Sequence, residues 1–368
     1  MKTIMLIFGT RPEAIKMCPL VKELERNKNI KTVVCVTGQH RKMLDMVLEA
    51  FDVVPNYDLS IMKDKQTLYE VTGNVLSSMK HVLEAVNPDV VLVHGDTTTT
   101  FTAALACFYK QIPVGHVEAG LRTYDIYSPF PEEFNRQAVG IISKYHFAPT
   151  EMARQNLLRE GKRPDHIWVT GNTGIDALKT TVKYNYDHHL LNWVKGSKFI
   201  MLTAHRRENL GKPLYHMFKA IDKVVREFSD VKVVYPVHLN PTVQQTAKDV
   251  FGDNDRVKLV EPMDVIDFHN FMAHSYIILT DSGGIQEEAP SLGKPVLVMR
   301  DTTERPEGIK AGTLKLVGTE EDTIYSSCKQ LLIDKKEYRR MSEASNPYGD
   351  GSASKKIVEI LQKLSCSD

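Results

Sequence analysis

Short apolar, β-branched segments alternate with amphipathic helical patterns along nearly the whole chain. Segments such as "TIMLIF" (3–8) and "DVVLVH" (89–94) are apolar at consecutive positions. The stretches between them, such as "AIKMCPLVKELERN" (14–27), repeat their apolar residues at helical spacing. Strands that are apolar on both faces and alternate with helices are typical of parallel sheets covered by helices on both sides. The pattern therefore predicts an α/β protein.

The strand–helix series is interrupted at about residues 170–195. There the segment "TGNTGIDALKTTVKYNYDHHLLNWVKG" leaves one series and enters a second. At 368 residues, the chain is also longer than one ordinary hydrophobic core requires. We therefore predict two doubly wound, Rossmann-like domains with a cleft between them, the first over residues 1–170 and the second over residues 171–351.

The composition disfavours partners that are bound through bulk charge. The formal net charge is +1, so we expect neither a nucleic-acid nor a membrane partner, and any anion must be held by a local site. The five cysteines are scattered and form no CxxC pair, which argues against a disulfide scaffold and a structural zinc site. No apolar run approaches the length of a membrane span, and we expect a cytoplasmic protein.

Polar motifs directly follow four of the apolar segments. They are "FGTRPEAIK" (8–16), "HGDTTTT" (94–100), "TAHRREN" (203–209) and "TDSGGIQEE" (280–288). In doubly wound sheets, ligands bind beyond the carboxyl ends of the strands. Their placement therefore predicts that these motifs form the ligand site.

The last of these motifs can hold a phosphate. Ser282–Gly284 would present backbone N–H groups at the start of a helix, and glycine lets a phosphate approach closely. Glu287 or Glu288 could then accept hydrogen bonds from ribose hydroxyls. A plain capped turn, with Asp281 or Ser282 as the helix N-cap, fits the same residues equally well.

The cationic motifs leave two interpretations open. Arg11 and Lys16 could face an anionic ligand, or they could be solvated at a helix start. His205 is followed by two arginines, which suits a diphosphate leaving group, although a lone histidine is more often structural. The GxGxxG and GxxxxGK[ST] motifs are missing from the sequence, which disfavours NAD and ATP. No HExxH motif or His/Cys set with ligand spacing occurs, so we predict no catalytic metal.

Carboxylates gather in the Gly- and Pro-containing stretch "GHVEAGLRTYDIYSPFPEEFNRQ" (115–137). Glu118 and Glu132 could carry protons, or they could be surface charges. Glu133 is expected to be solvated or to start a helix. Asp96 follows a buried strand and could be an acid or base, or the cap of the next helix.

Taken together and in order, the motifs resemble one family nearly end to end. They are "FGTRPEAIK", "HGDTTTT", "GHVEAGLRT", "SPFPEEFNR", "HRREN", "SGGIQEEA", "RDTTERPEG" and "NPYGDG". The chain resembles the non-hydrolysing UDP-N-acetylglucosamine 2-epimerases of bacteria. The resemblance implies a glycosyltransferase-B-like architecture, with a C-terminal helix at about residues 352–368 packing back on the first domain. It also implies a homodimer that interconverts UDP-N-acetylglucosamine and UDP-N-acetylmannosamine without NAD, metal or another cofactor.

The resemblance also implies a mechanism and its residues. In the family, UDP leaves C1 as the C2 proton is taken, and UDP adds back to the 2-acetamidoglucal while C2 is protonated on the other face. The implied catalytic residues are Asp96, Glu118, Glu132 and His205. The implied substrate and UDP contacts are Arg11, Lys16, Phe268, Ser282, Gly283, Gly284, Glu288 and Arg305. Which carboxylate is the acid and which the base stays open.

Many members of the family bind a second UDP-N-acetylglucosamine that activates them. The matching positions here are Gln39, Lys42, Lys65, Glu132, Arg206 and His238. Lys42 and Lys65 stand where the family pattern has Gln and Arg, and a lysine does not keep bidentate geometry. Activation by substrate is therefore left open.

Three other functions fit parts of the pattern. A glycosyltransferase of the same fold would use a UDP-sugar and an acceptor, but it needs fewer acids. A hydrolysing epimerase would release free N-acetylmannosamine. A regulatory protein could bind a UDP-sugar without turnover. The polymer that would use the product, such as capsule or wall teichoic acid, is also left open.

Overall fold

The computed structural model describes residues 1–38, 41–61, 66–303 and 305–364, except for the side chains of residues 41, 42 and 207. The chain divides into two compact units. The first unit comprises Met1–Thr180 and Tyr348–Asp368, and the second comprises Thr181–Pro347.

Each unit is built on a parallel sheet. The strands of the first unit are β1 (Lys2–Phe8), β2 (Ile30–Val36), β3 (Tyr57–Asp58), β4 (Val90–His94), β5 (Val114–Val117), β6 (Tyr145–Ala148) and β7 (Ile167–Val169). Those of the second are β8 (Lys198–Thr203), β9 (Val231–Pro236), β10 (Val257–Val260), β11 (Ile277–Thr280), β12 (Val296–Val298) and β13 (Leu314–Leu316). The strand orders are β3-β2-β1-β4-β5-β6-β7 and β10-β9-β8-β11-β12-β13.

Helices separate most of these strands. In chain order they are α1 (Arg11–Glu25), α2 (Arg41–Ala50), α3 (Leu68–Val86), α4 (Thr98–Tyr109), α5 (Glu132–Ile142), α6 (Glu151–Arg159), α7 (Thr173–Thr181), α8 (His189–Val194), α9 (Lys212–Glu227), α10 (Pro241–Phe251), α11 (Val265–His274), α12 (Gly283–Glu288), α13 (Pro306–Ala311), α14 (Glu321–Ile333), α15 (Lys335–Ser342) and α16 (Ala353–Lys363). The predicted α/β class with two doubly wound parallel sheets is confirmed. Within the described residues, none of these helices is long and apolar enough to cross a membrane.

Both sheets reverse their winding direction beside a central strand. In the first unit the reversal lies between β1 and β4, and in the second between β8 and β11. Ile4–Phe8 and Phe199–Leu202 on the two central strands are buried. Burying one large aliphatic side chain contributes about 1.5–3 kcal/mol, so these strands anchor the sheets. The loops after the four switch-point strands are where a doubly wound fold places ligands.

The junctions between the two compact units lie at 180/181 and 347/348, rather than at the 170/171 and 351/352 boundaries expected from sequence. Helix α7 belongs to the first unit because it is bonded to the returning C-terminal segment. The Asp176 carboxylate accepts hydrogen bonds from the backbone N–H groups of Ala353 and Ser354 at 3.2 and 2.8 Å. The N–H of Asn172 donates to the Tyr348 carbonyl at 2.8 Å. Helix α16 then packs against α1.

Candidate active site

The first unit brings a lysine of α1 into contact with a glutamate that follows β5. Lys16 is buried, and its Nζ forms an ion pair with Glu118, the residue directly after β5. The same carboxylate accepts a hydrogen bond from Asn172 Nδ2 at 3.0 Å. It lies 3.7 Å from Nε2 of His94, a histidine whose pKa burial lowers to about 4. Glu118 is therefore bound by an ammonium group and an amide. Arg11, the first residue of α1, is half-buried.

Asp96 follows β4 by two residues and has an altered acidity. Its pKa is raised to about 6, mainly by burial and also by the negative charges of Glu118 and Glu132, whereas Arg136 lowers it. The side chain is 30% exposed, and its Oδ2 lies 3.1 Å from Arg136 Nε. Water therefore reaches one side of the carboxyl group, while protein surrounds the rest. A carboxyl group with this pKa can hold or release a proton near neutral pH.

Two residues of this site have backbone conformations that few side chains tolerate. Glu118 has a φ of 64°, and Gly95, beside Asp96, has a φ of 66°. A Cβ atom on Gly95 would lie 3.6 Å from Glu118 Oε1. Positive φ at a residue other than glycine is uncommon, and it is retained where surrounding contacts compensate the cost, often at functional sites. The turn after β5 thus directs the Glu118 carboxylate toward Lys16.

The two acids at the start of α5 differ sharply in their surroundings. Glu132 is the first residue of the helix and lies close enough to Asp96 to raise the pKa of that carboxyl group. Glu133 was expected either to be solvated or to start a helix. It lies in the first turn of α5, but it is not solvated, because its side chain is 0% exposed. Its carboxylate accepts hydrogen bonds from the N–H groups of Thr123 and Tyr124 at 3.1 and 3.0 Å. The sequence could not reveal this burial because the donors belong to the preceding loop.

The second unit organises its site around Asp281, which is completely buried directly after β11. Its Oδ2 accepts hydrogen bonds from the backbone N–H groups of His205 and Arg206 at 2.8 and 2.9 Å and from Asn209 Nδ2 at 3.2 Å. Its Oδ1 lies 3.4 Å from His205 Nδ1. Asp281 therefore holds the loop after β8, and its second carboxylate oxygen faces the imidazole ring. Sequence reasoning considered it only as a helix cap.

His205 combines exposure with a lowered basicity. Its side chain is 42% exposed, and its ring stacks on His238 with centroids 5.3 Å apart. Burial of part of the ring, together with His238 and Arg206, lowers the pKa of His205, whereas Asp281 raises it. Neutral imidazole is therefore favoured, with Nδ1 facing a carboxylate. Arg206 is held by its Nε, which donates to the Asp281 carbonyl at 2.9 Å.

Gly283, which follows β11, lies against the guanidinium group of Arg305. A Cβ atom on Gly283 would lie 2.7 Å from Arg305 Nη1, so a larger residue there would displace the guanidinium group from this position. Arg305 is buried, and its Nε donates to Glu287 at 2.5 Å. Ser282 is the N-cap of α12 without a side-chain capping bond, and Gly284 follows within the helix. Glu287, one of two ribose candidates, is thus engaged by Arg305.

The remaining predicted contacts lie on α11 and α12. Glu288 is largely buried, and its Oε2 lies 3.6 Å from His269 Nε2. His269 is fixed in turn by Thr181 Oγ1, 2.7 Å from its Nδ1. Phe268 is half-buried on α11. Glu288 is therefore better placed than Glu287 to accept hydrogen bonds from a ligand.

Part of the predicted second site lies outside the described residues. Gln39 and Lys65 are not described, and for Lys42 only the backbone is. Among the described residues, no group of three or more His, Cys, Asp or Glu side chains could hold a metal ion. The structure thus brings together Lys16, Asp96, Glu118 and Glu132 in one unit. In the other it brings together His205, Arg206 and His238, and separately Gly283 and Arg305.

Comparisons with known proteins identify one family. The family model described as UDP-N-acetylglucosamine 2-epimerase matches residues 22–362. The UDP-N-acetylglucosamine 2-epimerase of Bacillus subtilis (strain 168) is 64% identical over 358 residues, which covers 97% of this chain and 94% of the relative.

Solved structures are similar to this chain over nearly its whole length. The UDP-GlcNAc 2-epimerase from Neisseria meningitidis bound to UDP-GlcNAc has a TM-score of 0.91 and 50% identity, covering 98% of this chain and 100% of that one. The enzyme from Methanocaldococcus jannaschii in complex with UDP-GlcNAc and UDP has a TM-score of 0.82 and 34% identity, with the same coverage. This chain belongs to the UDP-N-acetylglucosamine 2-epimerase family.

Proposed function

We propose that this protein reversibly epimerises UDP-N-acetylglucosamine at C2 to UDP-N-acetylmannosamine without hydrolysing it. The observation that carries the proposal is the pair of unlike carboxylates at neighbouring strand ends. Asp96 has a pKa of about 6, and Glu118 is paired with Lys16. The names of the relatives, several of which are UDP-N-acetylglucosamine 2-epimerases, support the substrate.

The chemistry explains why several acids are needed. C2 of the sugar is not next to a carbonyl group, so its proton is not ordinarily acidic. In the proposed step a carboxylate takes the C2 proton, the C–H electron pair forms the C1–C2 double bond, and UDP leaves C1 with the electrons of its bond. The resulting 2-acetamidoglucal is protonated at C2 on the opposite face, and UDP adds back to C1. The net change is not a redox change, so no hydride acceptor is required.

The residues divide into proton carriers and anion contacts. Asp96, Glu118 and Glu132 are the proposed proton carriers, and Asp96 can act in either protonation state near neutral pH. His205, whose Nδ1 faces Asp281, is the fourth proposed catalytic residue. Positive groups and N–H donors stabilise the departing diphosphate. The proposed contacts to UDP and substrate are Arg11, Lys16, Phe268, Ser282, Gly283, Gly284, Glu288 and Arg305.

Retention of UDP beside the glucal separates this reaction from its alternatives. A hydrolysing enzyme would let water reach the intermediate and release free sugar, and a glycosyltransferase would pass the sugar to an acceptor.

We further propose that the protein is a homodimer and that its product supplies N-acetylmannosamine for a surface polysaccharide. Glu132, Arg206 and His238 are proposed to contribute to a second, activating UDP-N-acetylglucosamine site, together with Gln39, Lys42 and Lys65.

The reaction can be followed in D₂O by NMR with UDP-N-acetylglucosamine as the only substrate. Epimerisation predicts UDP-N-acetylmannosamine with deuterium at C2, and the starting compound should also exchange as the reaction returns. Release of free N-acetylmannosamine would identify a hydrolysing enzyme. Turnover without deuterium at C2 would refute proton removal at that carbon and with it the proposed mechanism.

A further inference from the structure

A buried arginine joins two carboxylates beside the proposed reaction site. Arg136 on α5 is buried, and its Nε lies 3.1 Å from Asp96 Oδ2. Its Nη1 lies 3.5 Å from Glu133 Oε2, so the guanidinium group bridges a proposed proton carrier and a structural acid. None of the roles assigned above uses Arg136.

Further hydrogen bonds hold the residues at both ends of this bridge. Glu133 is held by the N–H groups of Thr123 and Tyr124 and by Gln137 Nε2 at 2.9 Å. Asn135 Nδ2 donates to the Asp96 carbonyl at 2.8 Å, which fixes the main chain that carries the carboxylate. The planar guanidinium group can address two carboxylates in one fixed geometry, which a lysine cannot.

We propose that Arg136, held by Glu133, is the positioning residue that orients the Asp96 carboxylate and sets the pH range in which it exchanges a proton. This role rests on the proposed function, in which Asp96 is a proton carrier. Arg136 acts through Asp96 and is not itself placed on the reacting atoms. Glu133 compensates the buried positive charge, which would otherwise be costly.

The charges around Asp96 show why this arginine matters. Glu118 and Glu132 raise the pKa of Asp96, and Lys16 and Arg136 lower it, with Arg136 having the larger effect of the two cations. Lys16 is already engaged by Glu118. Of the two cations, Arg136 is therefore the one that mainly opposes the rise in the Asp96 pKa.

The test is the titration of Asp96 in Arg136→Met. Carboxyl groups of ¹³C-labelled aspartate are titrated by NMR, with the Asp96 signal identified by its loss in Asp96→Asn, and kcat/KM is measured over the same pH range. Loss of the neighbouring cation should move the Asp96 midpoint upward by about one pH unit or more. The limb of the kcat/KM profile that belongs to Asp96 should move in the same direction, whether Asp96 acts as acid or base.

Three further variants decide between positioning and general stabilisation. Arg136→Lys keeps the charge, so it should shift the midpoint less than Arg136→Met while still lowering kcat. Glu133→Gln removes a negative charge and should move the midpoint downward. Arg122→Met removes another buried cation, which is paired with Glu160 at 2.7 Å, and should leave the midpoint unchanged.

The titration does not depend on turnover, so its result is separate from the proposed function. An enzyme that does not epimerise would refute the function, yet the NMR midpoints would still report on Arg136. The role of Arg136 is overturned if the midpoint does not rise in Arg136→Met, or if Arg122→Met raises it as much. If Arg136→Met does not fold, Glu133→Gln and Arg136→Lys supply the decisive comparison.

Discussion

At the scale of single residues, surroundings rather than residue type separate the acids of the first unit. Glu133 is fully buried and holds a loop, Glu118 is paired with a lysine, and Asp96 keeps one side open to water. Asp96 combines a raised pKa with access to water, which is the combination that proton transfer near neutral pH requires. The chemical role of a carboxylate therefore depends on donors contributed by other segments of the chain.

Asp96→Asn and His205→Ala should each lower kcat by about 10²–10⁴-fold, because a positioned acid or base contributes that much. Turnover of UDP-N-acetylglucosamine and circular dichroism would be measured together. Asp125→Asn is the matched control, since Asp125 lies in an exposed loop where its carboxylate accepts the Tyr127 N–H at 3.0 Å. Near-normal rates in both site variants would remove these residues from the mechanism.

Asp96 should also affect how stability depends on pH. Its pKa is raised from 3.8 to about 6 in the folded protein, so the folded state binds the proton more tightly than the unfolded state does. The wild type should therefore lose stability, relative to Asp96→Asn, as the pH rises from 3.8 to about 6. Urea unfolding of both proteins between pH 4 and pH 8 measures the difference. A difference that is constant or that changes in the opposite direction would contradict the raised pKa.

At the scale of elements, two helices begin with the same capping box but differ in what surrounds it. Thr10 and Glu13 cap α1, and Thr67 and Glu70 cap α3. Glu13 is buried, and its Oε1 also accepts hydrogen bonds from the hydroxyl groups of Thr97 and Thr100 at 2.7 and 2.9 Å. It thereby ties the starts of α1 and α4 together at the switch point, whereas Glu70 is exposed.

The capping glutamates provide a matched pair of substitutions. Glu13→Gln should lower the free energy of unfolding by about 1–3 kcal/mol, because buried hydrogen bonds to a charged acceptor are lost. Glu70→Gln should cost less than about 1 kcal/mol, since its contacts are exposed to solvent. Both values come from urea unfolding. Equal costs would show that the threonines of α4 contribute nothing beyond the ordinary cap.

At the scale of the whole molecule, the first unit is discontinuous in sequence and the second is not. Helix α16 returns from the far end of the chain, where Lys2 Nζ donates to the Leu361 carbonyl at 2.9 Å. Ile357 and Leu361 on this helix are completely buried. The first unit therefore needs residues from both ends of the chain to cover its apolar surface.

Fragments of the chain should reflect this difference. Residues 181–347 contain the whole of their compact unit and should unfold cooperatively in urea as an isolated fragment. Residues 1–180 alone should aggregate or unfold without a cooperative transition, because α1 and α7 lose their partner. Joining residues 348–368 to residue 180 by a flexible Gly/Ser linker should restore the transition. A fragment of residues 1–180 that is as stable as the linked form would contradict the role of α16.

The order of apolar and amphipathic segments by itself determined the strands other than β3, the helical segments between them and the placement of polar motifs at strand ends, because burial on two faces and helical spacing are local properties. The two-residue strand β3 has no apolar run of its own. Only the tertiary structure decided which motifs meet. Strand β1 lies between β2 and β4, so Glu13 reaches Thr97 across 84 positions, and β8 lies beside β11, so Asp281 reaches His205. The burial of these side chains and the pKa of Asp96 depend on neighbours that are distant in sequence, so no local sequence pattern can predict them.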